Sequence, residues 1–269
     1  MKSILLNNGI TMPLVGLGTW DLRGKECIET VAKAINLGYR LIDTAQMYDN
    51  EIEVGKRIIK SGINRSELFI TTKIYRPSNS YDKAKKAIDI SLKRLGLDYV
   101  DLLLLHEPYK QGIEMYKALE EALIQEKTRA IGISNYDEHW YSDFRDKCKI
   151  IPAVNQVEAH VYFQKWNFQQ ILNDDKVVLQ AWSPLAQGIG NLAENPILKS
   201  IGNKYNKTAM QVALRFLVQR NIAVIPKSKH EDRLKANIEI FDFYLSDEDI
   251  LAIKKLDRND TLFAWTKQF

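Results

Sequence analysis

Cysteine is scarce in this chain: Cys27 and Cys148 are the only two in 269 residues, and they lie in unrelated contexts. A disulfide scaffold is not expected, and two free thiols in a cytoplasmic protein are the natural reading. Long apolar runs are missing too. Ile4-Leu5-Leu6 is interrupted at once by Asn7-Asn8-Gly9, too short for a signal-peptide core. No window approaches membrane-spanning length, so no membrane partner is expected. Charge of one sign is not concentrated. The net charge is +4 and the pI about 8.8, with Lys and Arg interleaved with Asp and Glu. Such a pattern reads as solvated helix faces; the small excess mildly favours an anionic ligand. It makes no nucleic-acid stripe. His139, His160 and His230 lack metal-ligand spacing, so no metal is expected, and His160 reads as structural. Gly16 and Gly18 are followed by Asp21 and not by a third glycine. The Gly-x-Gly-x-x-Gly fingerprint of a Rossmann site is therefore absent.

What is present is an ordinary globular composition, 45% hydrophobic and 27% charged. That supports one large core. No linker or shift in composition divides the chain, so residues 1–269 read as a single domain.

The chain opens with a predicted hairpin, Ser3 to Leu6 and Ile10 to Met12, around Asn8-Gly9, both of which tolerate positive φ. Apolar strands and helical patterns then alternate. Strands are predicted at Val15–Gly18, Arg40–Thr44, Leu68–Lys73, Tyr99–Leu105, Ala130–Asn135, Ala153–Val157, Val177–Trp182 and Ile222–Ile225. Helices are predicted near Glu26–Asn36, Asn50–Lys60, Tyr81–Leu95, Ile113–Gln125, Asp137–Asp146, Gln164–Leu172, Thr208–Gln219, Glu231–Glu239 and Ser246–Lys255. Eight strands alternating with helices require parallel pairing through crossovers. The fold expected is an α/β (β/α)8 TIM barrel with a short N-terminal β-hairpin closing its bottom.

In such a barrel, function gathers at the C-terminal ends of the strands. Asp43, Tyr48, Lys73 and His106 fall there in consecutive units. Each alone has an ordinary structural explanation: a cap, a loop anchor, a solvated strand end, a core histidine. Together they suit one chemistry. A phenol is a poor acid at neutral pH, with a reference pKa of about 10. A neighbouring lysine ammonium favours the phenolate and eases loss of the proton. An aspartate holds that lysine in place and charged. A neutral histidine can orient a carbonyl oxygen. The set amounts to an acid for a carbonyl undergoing reduction.

The chain resembles the aldo-keto reductases over essentially its whole length. The resemblance is carried by Gly16-Leu17-Gly18-Thr19-Trp20, Leu41-Ile42-Asp43-Thr44-Ala45 with Tyr48, Ile70-Thr71-Thr72-Lys73, Leu95 to Leu102 with His106, Ile131-Gly132-Ile133-Ser134-Asn135, Asn155-Gln156-Val157-Glu158 and Ile225-Pro226-Lys227-Ser228. It implies Tyr48 as proton donor, Lys73 as its modulator, Asp43 as the partner of Lys73 and His106 as the carbonyl-orienting group. Hydride would come from a nicotinamide cofactor.

The resemblance also implies where that cofactor lies. Ser134, Asn135 and Gln156 would hold the carboxamide. Trp182, in place of the usual Tyr, would stack on the nicotinamide ring. Ser183, Leu185, Gln187 and Gly188 would line the pyrophosphate, and Thr19, Trp20, Asp43 and Ile225 complete the set. Lys227, Ser228 and Arg233 occupy the positions that grip a 2′-phosphate, which suits NADPH over NADH. Ala236 replaces the usual Glu, and Asn237 is kept.

Trp20, Tyr48, His106 and Trp182 should form the inner substrate pocket. Glu107 stands where the family commonly has an aromatic or apolar residue, so either the pocket is more polar than is usual or Glu107 points away from it. The short loop after His106 and the few residues beyond Leu262-Phe263-Ala264-Trp265 suggest an open, permissive site for a small carbonyl compound. A monomer is expected. Two other readings fit parts of the sequence: a cofactor-binding but non-catalytic or regulatory member of the same fold, and a barrel isomerase using Lys227-Ser228 for phosphate.

Overall fold

A computed structural model describes residues 2–268. The chain begins with an antiparallel hairpin, β1 (Ser3–Leu5) and β2 (Thr11–Pro13). Of the turn residues only Gly9 takes positive φ (85°), so Asn8 does not adopt the left-handed conformation expected of it. Its side chain is used instead: Asn8 Nδ2 donates to Arg129 O (2.8 Å), and Asn7 Nδ2 donates to Pro152 O (3.0 Å). These carbonyls lie at or just before the starts of two barrel strands, so the hairpin closes the barrel's N-terminal end. Leu6 and Met12 plug it, both buried.

The barrel follows as β3 (Gly16–Gly18), α1 (Gly24–Asn36), β4 (Leu41–Asp43), α2 (Glu51–Lys60), β5 (Phe69–Ile74), α3 (Tyr81–Leu95), β6 (Val100–Leu105), α4 (Gly112–Ile124), β7 (Thr128–Ser134), α5 (Glu138–Arg145), β8 (Val154–Glu158), α6 (Trp166–Asp174), β9 (Val178–Trp182), α7 (Pro196–Tyr205), α8 (Ala209–Gln219), β10 (Ala223–Val224), α9 (Glu231–Ile238) and α10 (Asp247–Lys254). The strands β3 to β10 form one eight-stranded parallel sheet in chain order. It closes through the parallel bridge Val15–Val224. Val224 N donates to Leu14 O (2.8 Å) and Gly18 N to Pro226 O (3.4 Å) across this seam. A Cβ on Gly18 would meet Ile225 O at 2.7 Å, so only glycine permits the approach.

The strands are buried on both faces, which is why β6 reads as a near-continuous apolar run. The helices carry readable caps. Ser80 Oγ accepts from Lys83 N ahead of α3, and Gly96 ends that helix in the left-handed conformation. Thr208 and Gln211 form a capping box on α8.

Helix α7 is absent from the predicted elements. Its signal is local: Asn195 Oδ1 accepts from Ile197 N and Leu198 N, and Pro196 opens the helix. The barrel's lower half holds a buried ion cluster. Asp101, fully buried, accepts from Arg65 Nη2 (2.7 Å), Arg129 Nη1 (2.8 Å) and Ile70 N (2.9 Å). Both cysteines are free, and burial pushes the Cys27 thiol up to about 12 and Cys148 to about 11. No helix among the described residues is long and apolar enough to cross a membrane, and no group of His, Cys, Asp or Glu among them could hold a metal.

Candidate active site

The sheet register assembles the site. Gly18, Asp43 and Thr71 lie side by side across β3, β4 and β5. Lys73 is two residues beyond Thr71 on β5, so both side chains fall on one face. Ser134, Gln156 and Gln180 form the corresponding row across β7, β8 and β9. Tyr48 ends a short 3-10 turn, Gln46–Tyr48, after β4. That turn is pinned from two sides. Gln46 Nε2 donates to Ala87 O (2.8 Å) and Ser91 Oγ (2.9 Å), and Arg23 Nη1 donates to Tyr48 O (2.8 Å).

Lys73 Nζ donates to Asp43 Oδ1 (2.5 Å) and Thr44 O (3.0 Å), and lies 3.3 Å from Tyr48 Oη. Lys73 is 0% exposed and Asp43 1%. An ion pair this dry survives only if its remaining capacity is met. Gln156 Nε2 meets it from across the barrel, donating to Asp43 Oδ2 (2.7 Å) and Gln180 Oε1 (2.8 Å). Burial alone would depress the Lys73 ammonium, but Asp43 and Tyr48 reverse this and hold it above the usual lysine range.

Lys73 favours the phenolate as expected, but a larger influence opposes it. Burial dominates and holds the Tyr48 phenol above its ordinary value, with Lys73 opposing. At neutral pH Tyr48 therefore keeps its proton. His106 is pushed well below the ordinary histidine value by burial and by Lys73, and is neutral. Among the described residues its Nδ1 is buried without a hydrogen-bond partner, which leaves Nε2 as the nitrogen available to the cleft. The rings of Trp20, Tyr48 and His106 pack edge to face, with centroids 5.1 and 5.6 Å apart.

These groups line one cleft of about 1420 Å3. It also takes in Ser134, Asn135, Gln156, Trp182, Ser183, Leu185, Gln187, Gly188, Ile225, Lys227, Ser228, Arg233, Asn237 and Glu107, so nearly all the predicted site residues share one cavity. Two do not line it. Lys73 lies beneath Tyr48. Thr19 is fully buried, and its hydroxyl donates to Asp43 O (2.9 Å), so it braces the β3–β4 joint and offers nothing to a ligand. Asn50 has a similar bracing part, donating to Thr19 O and Leu22 O at 2.9 Å each and accepting from Thr44 Oγ1 (2.6 Å).

The polar wall is preorganised. Ser134 Oγ donates to Gln156 O (2.9 Å), Asn135 Nδ2 to His106 O (3.0 Å), and Trp182 Nε1 to Asn135 Oδ1 (2.7 Å). At the far end, Lys227 and Arg233 enter no ion pair among the described residues, whereas neighbouring Lys229 is engaged by Glu26 (2.9 Å). Ser228 Oγ accepts from His230 N (3.2 Å) just ahead of α9.

Phe263 and Trp265 are lining residues that pattern reasoning missed as such. Both pack on Trp182, at 5.2 and 5.4 Å, Trp265 nearly parallel to it at 19°. The segment before them is latched to the barrel. Glu158 accepts from Leu262 N (3.0 Å) and from the Thr261 hydroxyl, and its other contact is His160 Nε2 (2.8 Å). The side expected to be open is thus partly walled. Thr208, Ala209 and Met210 at the start of α8 were also unforeseen; only the capping box at Thr208 marked that turn.

The aldo/keto reductase family model matches residues 14–258. A glyoxal reductase from Bacillus subtilis is 41% identical over 260 residues, covering 96% of this chain and 94% of the relative. A 9,11-endoperoxide prostaglandin H2 reductase from Trypanosoma cruzi is 39% identical, over 95% and 92% of the two chains. The crystal structure of an aldo-keto reductase enzyme from a Medee basin deep-sea metagenome library superimposes with a TM-score of 0.95 at 39% identity, covering 97% of each chain.

Proposed function

The chain belongs to the aldo/keto reductase family, and from that premise we propose that it reduces aldehydes and ketones to alcohols with NADPH, using Tyr48 as the general acid. The observation that carries this reading is the dry Asp43–Lys73 pair with Lys73 Nζ 3.3 Å from the Tyr48 hydroxyl. A carbonyl oxygen seated between Tyr48 and His106 meets a neutral phenol and a neutral imidazole. His106 orients it, and Tyr48 donates its proton as negative charge develops there. The Lys73 ammonium, fixed by Asp43, then stabilises the phenolate that remains.

NADPH would supply the hydride when bound. The residues fit it. Lys227 and Arg233 are exposed cations in no ion pair among the described residues, and Ser228 adds a hydroxyl, as a dianionic phosphate requires. Asn135, Ser134 and Gln156 present an amide-recognising wall, and Trp182 a ring face. The reading carries with it a small carbonyl substrate, a monomer and a cytoplasmic location.

Tyr48→Phe tests it. The variant should retain NADPH binding while kcat falls by about 10²–10⁴-fold. Turnover close to wild type would refute Tyr48 as the acid.

A further inference from the structure

Glu107 directly follows His106 at the end of β6, is half-buried, and lines the same cleft as the tetrad. Among the described residues no ion pair engages its carboxylate. Its neighbours are the Tyr109 hydroxyl and, at longer range, Arg76. Burial raises Glu107 above the usual carboxylate range, and these two groups only oppose the shift. A half-buried carboxylate answered only by a hydroxyl and a distant guanidinium keeps most of its charge available to a ligand.

Five aromatic rings line the same cleft, together with Met47 and the exposed Asp21. They are those of Trp20, Tyr48, Trp182, Phe263 and Trp265. Trp20 is 46% exposed, so much of its ring surface is open to a ligand. The Lys73 ammonium is sealed beneath Tyr48 and paired with Asp43. The free cations of the cleft, Lys227 and Arg233, belong to the other end. Ring faces attract cations through their quadrupole, and an unpaired carboxylate does so through its charge.

We infer that Glu107 and this ring wall form a cation subsite, selecting carbonyl substrates that carry a protonated amine or quaternary ammonium group. The inference rests on the reductase reading. A neutral or anionic substituent at the same place leaves the carboxylate unanswered, so charge would decide between substrates of equal shape.

The test uses two aldehydes of one shape, para-(trimethylammoniomethyl)benzaldehyde and its neutral isostere para-neopentylbenzaldehyde. Each is measured by kcat/KM, and the matching benzyl alcohols are titrated against tryptophan emission for Kd. Wild type should prefer the cation by about tenfold in both readouts. Glu107→Gln should bring both ratios close to one, and Glu107→Asp should restore a preference. A ratio of one or less in wild type, or a preference that survives in folded Glu107→Gln, overturns the subsite; reduction of the neutral isostere would then leave the reductase reading intact. Preference in binding with turnover of neither aldehyde would instead sink the reductase reading and leave the subsite standing. If Glu107→Gln does not fold, para-carboxybenzaldehyde decides on wild type alone: the subsite requires it to be a poorer substrate than the neutral isostere, and parity overturns it.

Discussion

The two ends of the barrel treat charge differently. At the bottom, Asp101 is buried, but two arginines reach it from partly exposed positions, and a backbone N–H takes a share of its second oxygen. Nothing there is left for a ligand. At the mouth, Asp43 is just as buried, yet its single cation is buried too and points on to a phenol in an open cleft. Further out, Lys227, Arg233 and Glu107 line the cleft and enter no ion pair among the described residues. The same residue type thus closes a network of charges at one end and fixes a lysine against a tyrosine hydroxyl at the other. What separates them is whether the counter-charge ends the network or passes it on.

Substitution should expose that difference. Asp43→Asn removes the anchor of Lys73 and should lower kcat by about 10²–10³-fold, measured per folded molecule by steady-state turnover. Asp101→Asn should do the reverse. It should cost about 2–3 kcal/mol of stability by denaturant unfolding, with turnover of the folded protein unchanged. If the two variants behave alike, the contrast between the ends is wrong. Arg233→Ala should weaken NADPH binding about tenfold and leave NADH untouched, as read by the two Kd values. The smallest effect is a slope. His106 is held neutral below its ordinary value of 6.5, so its contribution to stability is complete above that pH. As pH falls from 6.5 the unfolded chain takes up a proton that the folded site refuses, and stability declines. His106→Asn should flatten that part of the curve, seen in unfolding midpoints at successive pH values, while Asp101→Asn should not.

The sequence made the mouth more legible than the rest. Asp43, Lys73 and His106 stand at or beside the ends of consecutive apolar strands, where a change from apolar to ionisable is conspicuous, and Tyr48 follows one of them within a short loop. The bottom was less so, because Asp101 hides inside an apolar run and its partners lie 36 and 28 residues away. Thr19 adjoins Trp20 but does not line the cleft: the chain turns after β3, with Leu22 N donating to Thr19 O, which leaves Thr19 buried in the joint and Trp20 on the cleft. Phe263 and Trp265 carry no periodicity, and their place is set by Glu158, more than a hundred residues earlier. Helix α7 was overlooked although Asn195-Pro196 marks its start. Strand β10 is shorter than its apolar stretch, since Pro226 has no N–H for a ladder.

That short strand bears on how the barrel is held shut. The seam between β3 and β10 rests on one bridge and a long hydrogen bond at Gly18. Trp20 stands on one side of this joint and Lys227 and Ser228 on the other, all on the cleft. A molecule seated there acts as a clasp across the barrel's weakest closure. Parting of the seam and release of that molecule become one mechanical event. Amide exchange at Val224 and Gly18 should then slow when the cleft is filled, while exchange at the hairpin side of the barrel keeps its own rhythm.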